Sequence, residues 1–245
     1  MSLGKHTIAF FWVGENVNIP QTLVQSVRLV MGNEVNLIQL TNKKTEEVRG
    51  VNNVYRFDLS SQIMIARLEA YAQYEPESEF TFFCDADCIF INKLKIPTQS
   101  NNNIFLSPRV KDFKINHNYP EYYKEFVNKT ANEVMPFLFC AITTRGNQQF
   151  FFKSLLKTCK ELPERFHRWY GDQYALFLKT EGKLKDFETL DPNIYQHEIK
   201  EILTLNYLQK IHMNGVQMLH FKGPKSKELT GQALVLLKYY LKIQN

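Results

Sequence analysis

The stretch Phe82-Phe83-Cys84-Asp85-Ala86-Asp87-Cys88-Ile89-Phe90 sets two carboxylates, one residue apart, between two apolar runs. Glu79 to Cys84 reads as a short apolar and aromatic strand, and Ile89-Phe90-Ile91 resumes that pattern on the far side. A solvated turn is seldom enclosed by two buried runs, because both draw the backbone between them toward the core. The two acids are therefore read as standing where a buried strand ends, both turned into a crevice.

Working outward, Thr7 to Trp12 is a largely apolar run ending at Gly14, the pattern of a strand covered on both faces. Pro20 opens a helical pattern with Leu23, Val24, Val27 and Val30 on one face. Val35 to Leu40 and Val51 to Arg56 read as further strands, and Ser60 and Ser61 are expected to cap a helix carrying Ile63, Ile65, Leu68 and Tyr71. Strands alternating with helices imply an α/β fold with a mostly parallel sheet flanked by helices. Ligands of such sheets sit beyond the carboxyl ends of the strands. That places Trp12 to Glu15 and Asp85 to Asp87 on one rim.

Beyond about residue 100 the alternation loosens into a more irregular half. Strands are expected at Ile104–Ser107, Phe137–Thr143, Asp186–Leu190 and Gln217–Phe221, and helices at Gln148–Lys160 and Glu164–Leu178. Lys111 to Tyr119 reads as a loop closed off by Pro120, and the tail from Glu228 reads as a helix. No repeat or low-complexity linker divides the chain, so residues 1–245 are expected to share one domain.

The net charge is +5, without any block of like charge. It suits an anionic ligand such as a diphosphate, or loose contact with an acidic membrane surface, and gives nucleic-acid binding no support. Cys84, Cys88, Cys140 and Cys159 are too sparse for a disulfide scaffold. With no second close pair to complete a zinc site, they read as buried thiols of a reduced compartment. No stretch approaches the roughly 18 apolar residues of a spanning helix. The expected location is cytoplasmic, at most peripheral at the inner face of the membrane.

Asp85 and Asp87 offer hard oxygen ligands suited to Mg²⁺ or Mn²⁺, a cation that bridges the phosphates of a nucleotide sugar and offsets charge on the departing diphosphate. The second signal is His220-Phe221-Lys222-Gly223-Pro224-Lys225. A neutral imidazole at His220 is a plausible third ligand, Gly223 permits close backbone approach to a phosphate, and Lys225 brings positive charge.

Together these residues resemble the GT-A glycosyltransferases, most closely the retaining family 8 that includes glycogenin and bacterial lipo-oligosaccharide galactosyltransferases. The family's acidic triplet matches Asp85-Ala86-Asp87, and its late His-Phe-x-Gly-x-x-Lys motif matches His220, Phe221 and Gly223. Ser226 stands where that motif has its lysine, with Lys225 and Lys227 on either side as substitutes. The family's Asp-Gln pair matches Asp172-Gln173. The resemblance implies that Asp172 hydrogen-bonds the donor sugar and that Gln173 lies beside the anomeric carbon. Ala66-Arg67-Leu68 resembles the basic helix before the triplet, where the arginine meets donor phosphate or the triplet itself. Trp12-Val13-Gly14, with Pro20 downstream, is more similar to family 32, and so Trp12 and Gly14 join the expected donor-binding residues. Phe139-Cys140-Ala141 replaces a family 8 Asn-x-Gly donor contact, so the donor sugar is not carried over.

The implied protein is a metal-dependent, hexosyltransferase-like enzyme that moves a sugar from a UDP-sugar to a carbohydrate or lipid-linked acceptor with retention. Residues 1–100 would form its nucleotide-sugar half, 101–225 its acceptor and catalytic half, and 226–245 a C-terminal helix. Arg109, Lys111, Lys114 and His117 would border the acceptor cleft. In the tail, Leu234, Leu237, Tyr240 and Leu241 form a stripe that either packs inward or docks on a membrane surface. The competing readings are a nucleotidyltransferase, disfavoured by the single glycine of Val13-Gly14-Glu15-Asn16, and a non-catalytic binding module on the same fold.

Overall fold

The computed structural model describes residues 6–97, 100–115, 124–181, 187–199 and 201–244, apart from the side chain of Pro224. Strand β1 (Thr7–Phe11) is buried along its whole length. Its side chains alternate between two cores. Ile8 and Phe10 meet Leu23, Val24, Val27 and Met31 of α1 (Asn18–Met31), while Ala9 and Phe11 meet Ile65, Ala66, Leu68 and Tyr71 of α2 (Ile63–Gln73). With apolar cover on both faces, neither side of the strand is selected to be polar, which is why its sequence shows no alternation.

The remaining strands of the main sheet are β2 (Asn36–Asn42), β3 (Asn53–Phe57), β4 (Phe80–Cys84), β6 (Ile104–Pro108), β7 (Phe137–Arg145) and β8 (Glu188–Thr189). Their order is β3-β2-β1-β4-β7-β6-β8, parallel throughout except for β7, which runs antiparallel between β4 and β6. This is the mostly parallel α/β sheet expected from the alternation. The α2 face is completed by α4 (Gln149–Glu161) and α6 (Gly171–Thr180), where Tyr71, Phe83, Phe139 and Phe152 form one aromatic group. Each such ring contributes about 1.5–3 kcal/mol by leaving water.

A second sheet of three short strands has the order β5-β10-β9, with β5 at Cys88–Phe90, β9 at His197–Glu198 and β10 at Met218–His220. It has its own core, in which Ile89 and Leu219 meet Leu208 and Ile211 of α8 (Leu205–Met213) and Leu234, Leu237 and Tyr240 of α10 (Thr230–Gln244). The C-terminal stripe therefore packs inward, against α1, α8 and β5. No helix of the described residues is long and apolar enough to cross a membrane.

Two local expectations are corrected. The helix expected over Glu164–Leu178 is two helices, α5 (Glu164–Arg168) and α6, separated at Trp169 and Tyr170, where Tyr170 takes a left-handed φ of 65°. Ser60 does not cap α2: the cap position is Gln62, whose N–H donates to Ser60 Oγ at 3.1 Å. Helix α8 and the one-turn helices α3 (Ala131–Val134), α7 (Pro192–Tyr195) and α9 (Pro224–Lys227) carry too few turns for periodicity to reveal them. His117 and the end of the loop expected up to Tyr119 lie outside the described residues.

Candidate active site

Strands β1 and β4 end side by side, since Phe10 pairs with Cys84. Trp12 and Asp85 therefore leave the sheet on the same rim. From there the chain turns at Ala86 and enters the small sheet at β5, where Cys88 pairs with His220 of antiparallel β10. The Phe221 N–H donates to the Asp87 carbonyl at 3.1 Å and continues that pairing. The register joins two motifs more than a hundred residues apart. His220 Nε2 lies 3.6 Å from Asp87 Oδ1 and 3.9 Å from Asp85 Oδ2.

This pole of the site is buried: Asp87 is 7% exposed and His220 6%. Asp87 Oδ2 accepts the Lys227 ammonium at 2.8 Å. Asp87 Oδ1 is buried and has no hydrogen-bond partner among the described residues. A buried carboxylate oxygen without a donor is costly unless a cation completes it. The Asp87 carboxylate and the His220 imidazole, with Asp85 on the far side of His220 Nε2, fit a divalent cation by donor type. The Cys88 thiol is there as well: one ligand atom each from Asp87, Cys88 and His220 lie within 4.8 Å of one another. Burial disfavours a charged His220, but Cys140 and the carboxylates of Asp87 and Asp85 outweigh it and push its pKa up to about 10. The same opposition raises Lys227, with burial pulling down and Asp87 holding its proton on.

A different pole forms where α2, β7 and α6 meet. The Arg67 guanidinium donates to Asp85 Oδ1 at 2.7 Å and to Asp172 Oδ2, and lies over the Phe139 ring at 4.9 Å. The other Asp172 oxygen accepts the Gln173 N–H at 2.7 Å. Asp172 is wholly buried, and both of its oxygens are engaged. The break before α6 puts it there. A Cβ on Gly171 would stand 2.2 Å from the Phe166 carbonyl oxygen, so only glycine lets the two helices close up. Gln173 Oε1 in turn accepts from Arg109 at 2.6 Å, and Arg109 also donates to the Met135 carbonyl at 3.0 Å.

Beside His220 and Arg109 lies a cavity of about 190 Å³ lined also by Leu138, Gln196, Glu198 and Lys222, among others. Cys140 donates to Gln196 Oε1 at 3.1 Å, and Gln196 donates to the Pro108 carbonyl.

The structure thus brings Asp87 and Asp85 each within 4 Å of His220, but the group close enough to share a metal among the described residues is Asp87, Cys88 and His220, without Asp85; Arg67 is coupled to both Asp85 and Asp172. Half-buried Trp12 and exposed Gly14 sit on the β1 rim, where the Gly14 N–H donates to Thr45 Oγ1 at 3.1 Å. Gly223, with φ 90°, precedes α9. Lys225 is exposed, and its neighbour Lys227 is the lysine that reaches Asp87. Sequence reasoning passed over Cys88 as a ligand and Gln196 altogether. For Cys88 a signal existed in its place directly behind the acidic pair, whereas Gln196 reaches the site only through β9 and its short preceding helix.

No family model and no curated protein matches the chain. Solved structures do. A glycosyltransferase involved in glycosylation of the major capsid of PBCV-1 matches with a TM-score of 0.57 at 11% identity, covering 95% of this chain and all of the other. The galactosyltransferase LgtC, solved with donor and acceptor sugar analogues, matches at 0.54 and 15% identity over 92% of this chain and 95% of LgtC. GlyE of Streptococcus pneumoniae matches at 0.54 and 13% identity; this chain spans 64% of it. The fold is the GT-A glycosyltransferase fold that the resemblance of the sequence motifs implied.

Proposed function

We propose that the protein is a metal-dependent glycosyltransferase that moves a sugar from a UDP-sugar to a carbohydrate or lipid-linked acceptor, with retention at the anomeric carbon. The observation that carries this reading is Asp87. One of its oxygens is held by Lys227, and the other is buried without a hydrogen bond among the described residues, 3.6 Å from His220, at the carboxyl end of a mostly parallel sheet. Asp85, Asp87 and His220 would hold Mn²⁺ or Mg²⁺, which supplies charge neutralisation for the departing diphosphate. Lys227 steadies Asp87 and adds positive charge beside the leaving group, with Gly223 letting the backbone approach a phosphate. Trp12 and Gly14 would border the nucleotide.

In this reading Arg67 orients Asp85 and is itself held by Asp172, whose remaining lone pairs would accept a donor-sugar hydroxyl. Gln173, fixed by Arg109, faces the reacting carbon. The basic lining of the neighbouring cavity, Arg109 and Lys222 with Lys111, suits an acceptor bearing negative charge. Peripheral membrane contact falls to the outer face of α10, where Val235, Tyr239 and Ile243 are exposed.

The test is UDP release from a panel of UDP-sugars, with and without Mn²⁺, for wild type and Asp87→Ala. Metal-dependent release that disappears in the variant supports the reading and names the sugar. Silence with every donor, together with no metal-dependent UDP binding, turns the assignment to a binding module or a nucleotidyltransferase. A product of inverted configuration removes the retention claim alone.

A further inference from the structure

The acidic pair and His220 are oxygen and nitrogen donors, yet the residue that follows Asp87 brings sulfur to the same point. Cys88 is fully buried and pairs with His220 across β5 and β10, so its side chain and the imidazole lie on neighbouring strands at one level. Ligand atoms of Asp87, Cys88 and His220 fall within 4.8 Å of one another. Asp87 supplies the independent sign of a ligand: its residue is more than nine-tenths buried, and Oδ1 lacks a hydrogen-bond partner among the described residues. Bonds of about 2.0 Å to oxygen and nitrogen and about 2.3 Å to sulfur reach across such a span with small side-chain movements. Cys140 differs: its thiol hydrogen-bonds Gln196 and His220 and stands outside the group of atoms close enough to share one ion.

We infer that Cys88 is a ligand of the cation site, making it a carboxylate–thiolate–imidazole centre that takes thiophilic divalent cations (Zn²⁺, Cd²⁺, Co²⁺) in preference to Mg²⁺. The inference rests on the reading of Asp87 and His220 as cation ligands and extends it to this chain's own sulfur. Soft and borderline ions select thiolate, whereas Mg²⁺ selects oxygen. On binding, the S–H bond of Cys88 and an N–H bond of the protonated His220 ring break, sulfur and nitrogen keep their electron pairs for the metal, and two protons pass to buffer. Micromolar Zn²⁺ would then occupy the site ahead of millimolar Mg²⁺ and regulate the protein through metal identity.

The experiment is Co²⁺ titration of the purified chain, read by absorbance. The expected result is a near-ultraviolet sulfur-to-cobalt charge-transfer band that saturates at one Co²⁺ per chain. It is lost in Cys88→Ser, retained in Cys140→Ser, and displaced by Zn²⁺ but not by equimolar Mg²⁺. Calorimetry should find Cd²⁺ affinity weakened in Cys88→Ser by more than about a hundredfold, the upper range for losing an outer-shell group. Co²⁺ uptake that shows only weak visible bands would overturn the thiolate ligand and leave the oxygen-and-nitrogen site standing. No Co²⁺ uptake at all would overturn both. Should Cys88→Ser fail to fold, the wild-type protein still decides: thermal stabilisation by Mg²⁺ equal to that by Zn²⁺ at the same concentration sinks the preference.

Discussion

The two poles of the site treat a buried carboxylate in opposite ways. Asp172, at the start of α6, has both oxygens engaged, one by Arg67 and one by the Gln173 N–H. Asp87, at the start of the small sheet, has one oxygen on Lys227 and leaves the other without a donor. A fully hydrogen-bonded ion pair holds a shape, and breaking it strands a charge in a dry interior. A carboxylate with an open buried oxygen is a poor structural element and a good ligand. On the proposed reading these two acids divide the work: one positions, the other binds.

The sharpest way to break this comparison is to remove each acid in turn. Asp87→Ala is expected to lower metal-dependent UDP release by about a thousandfold, the scale of losing several kcal/mol of charge stabilisation, while costing only about 1–2 kcal/mol in urea unfolding, since the partly exposed Lys227 regains water. Asp172→Ala should do the reverse in stability, losing about 3–5 kcal/mol in the same unfolding measurement because Arg67 is left with one carboxylate. If the two variants unfold alike, the division is wrong.

Cation addition sharpens the contrast. At about one hundred times its dissociation constant, Mn²⁺ should stabilise wild type by about 2.7 kcal/mol in thermal unfolding, leave Asp87→Ala unmoved, and stabilise Asp172→Asn as it does wild type. Gly171→Ala probes the positioning pole alone. Its Cβ meets the Phe166 carbonyl, so unfolding should show a loss of about 2 kcal/mol, with Co²⁺ or Mn²⁺ affinity retained. The smallest effect is expected outside both poles. Val235→Ser with Tyr239→Ser should alter stability by under about 0.5 kcal/mol and weaken sedimentation with anionic liposomes; unchanged sedimentation would remove α10 from any membrane role.

Much of the fold was legible because β1 and β4 are continuous apolar runs and α1 carries one apolar face. Asp85, Asp87 and His220 stand out as candidates because each lies at the end of such a run. The break within residues 164–178 was not, since Tyr170 takes a left-handed φ that nothing in Arg168-Trp169-Tyr170-Gly171 demands locally. The close approach of Phe166 to Gly171, a contact between helices, decides it.

The sequence by itself determined a mostly parallel sheet and an acidic strand end, because periodicity and the ending of apolar runs are local properties of the chain. Which lysine meets Asp87, which residue holds Arg67, and the arrival of the Cys88 thiol beside His220 were decided only by tertiary structure. Those depend on the β5–β10 register and on the packing of α2 against α6, where partners far apart in the chain meet at distances no local pattern encodes.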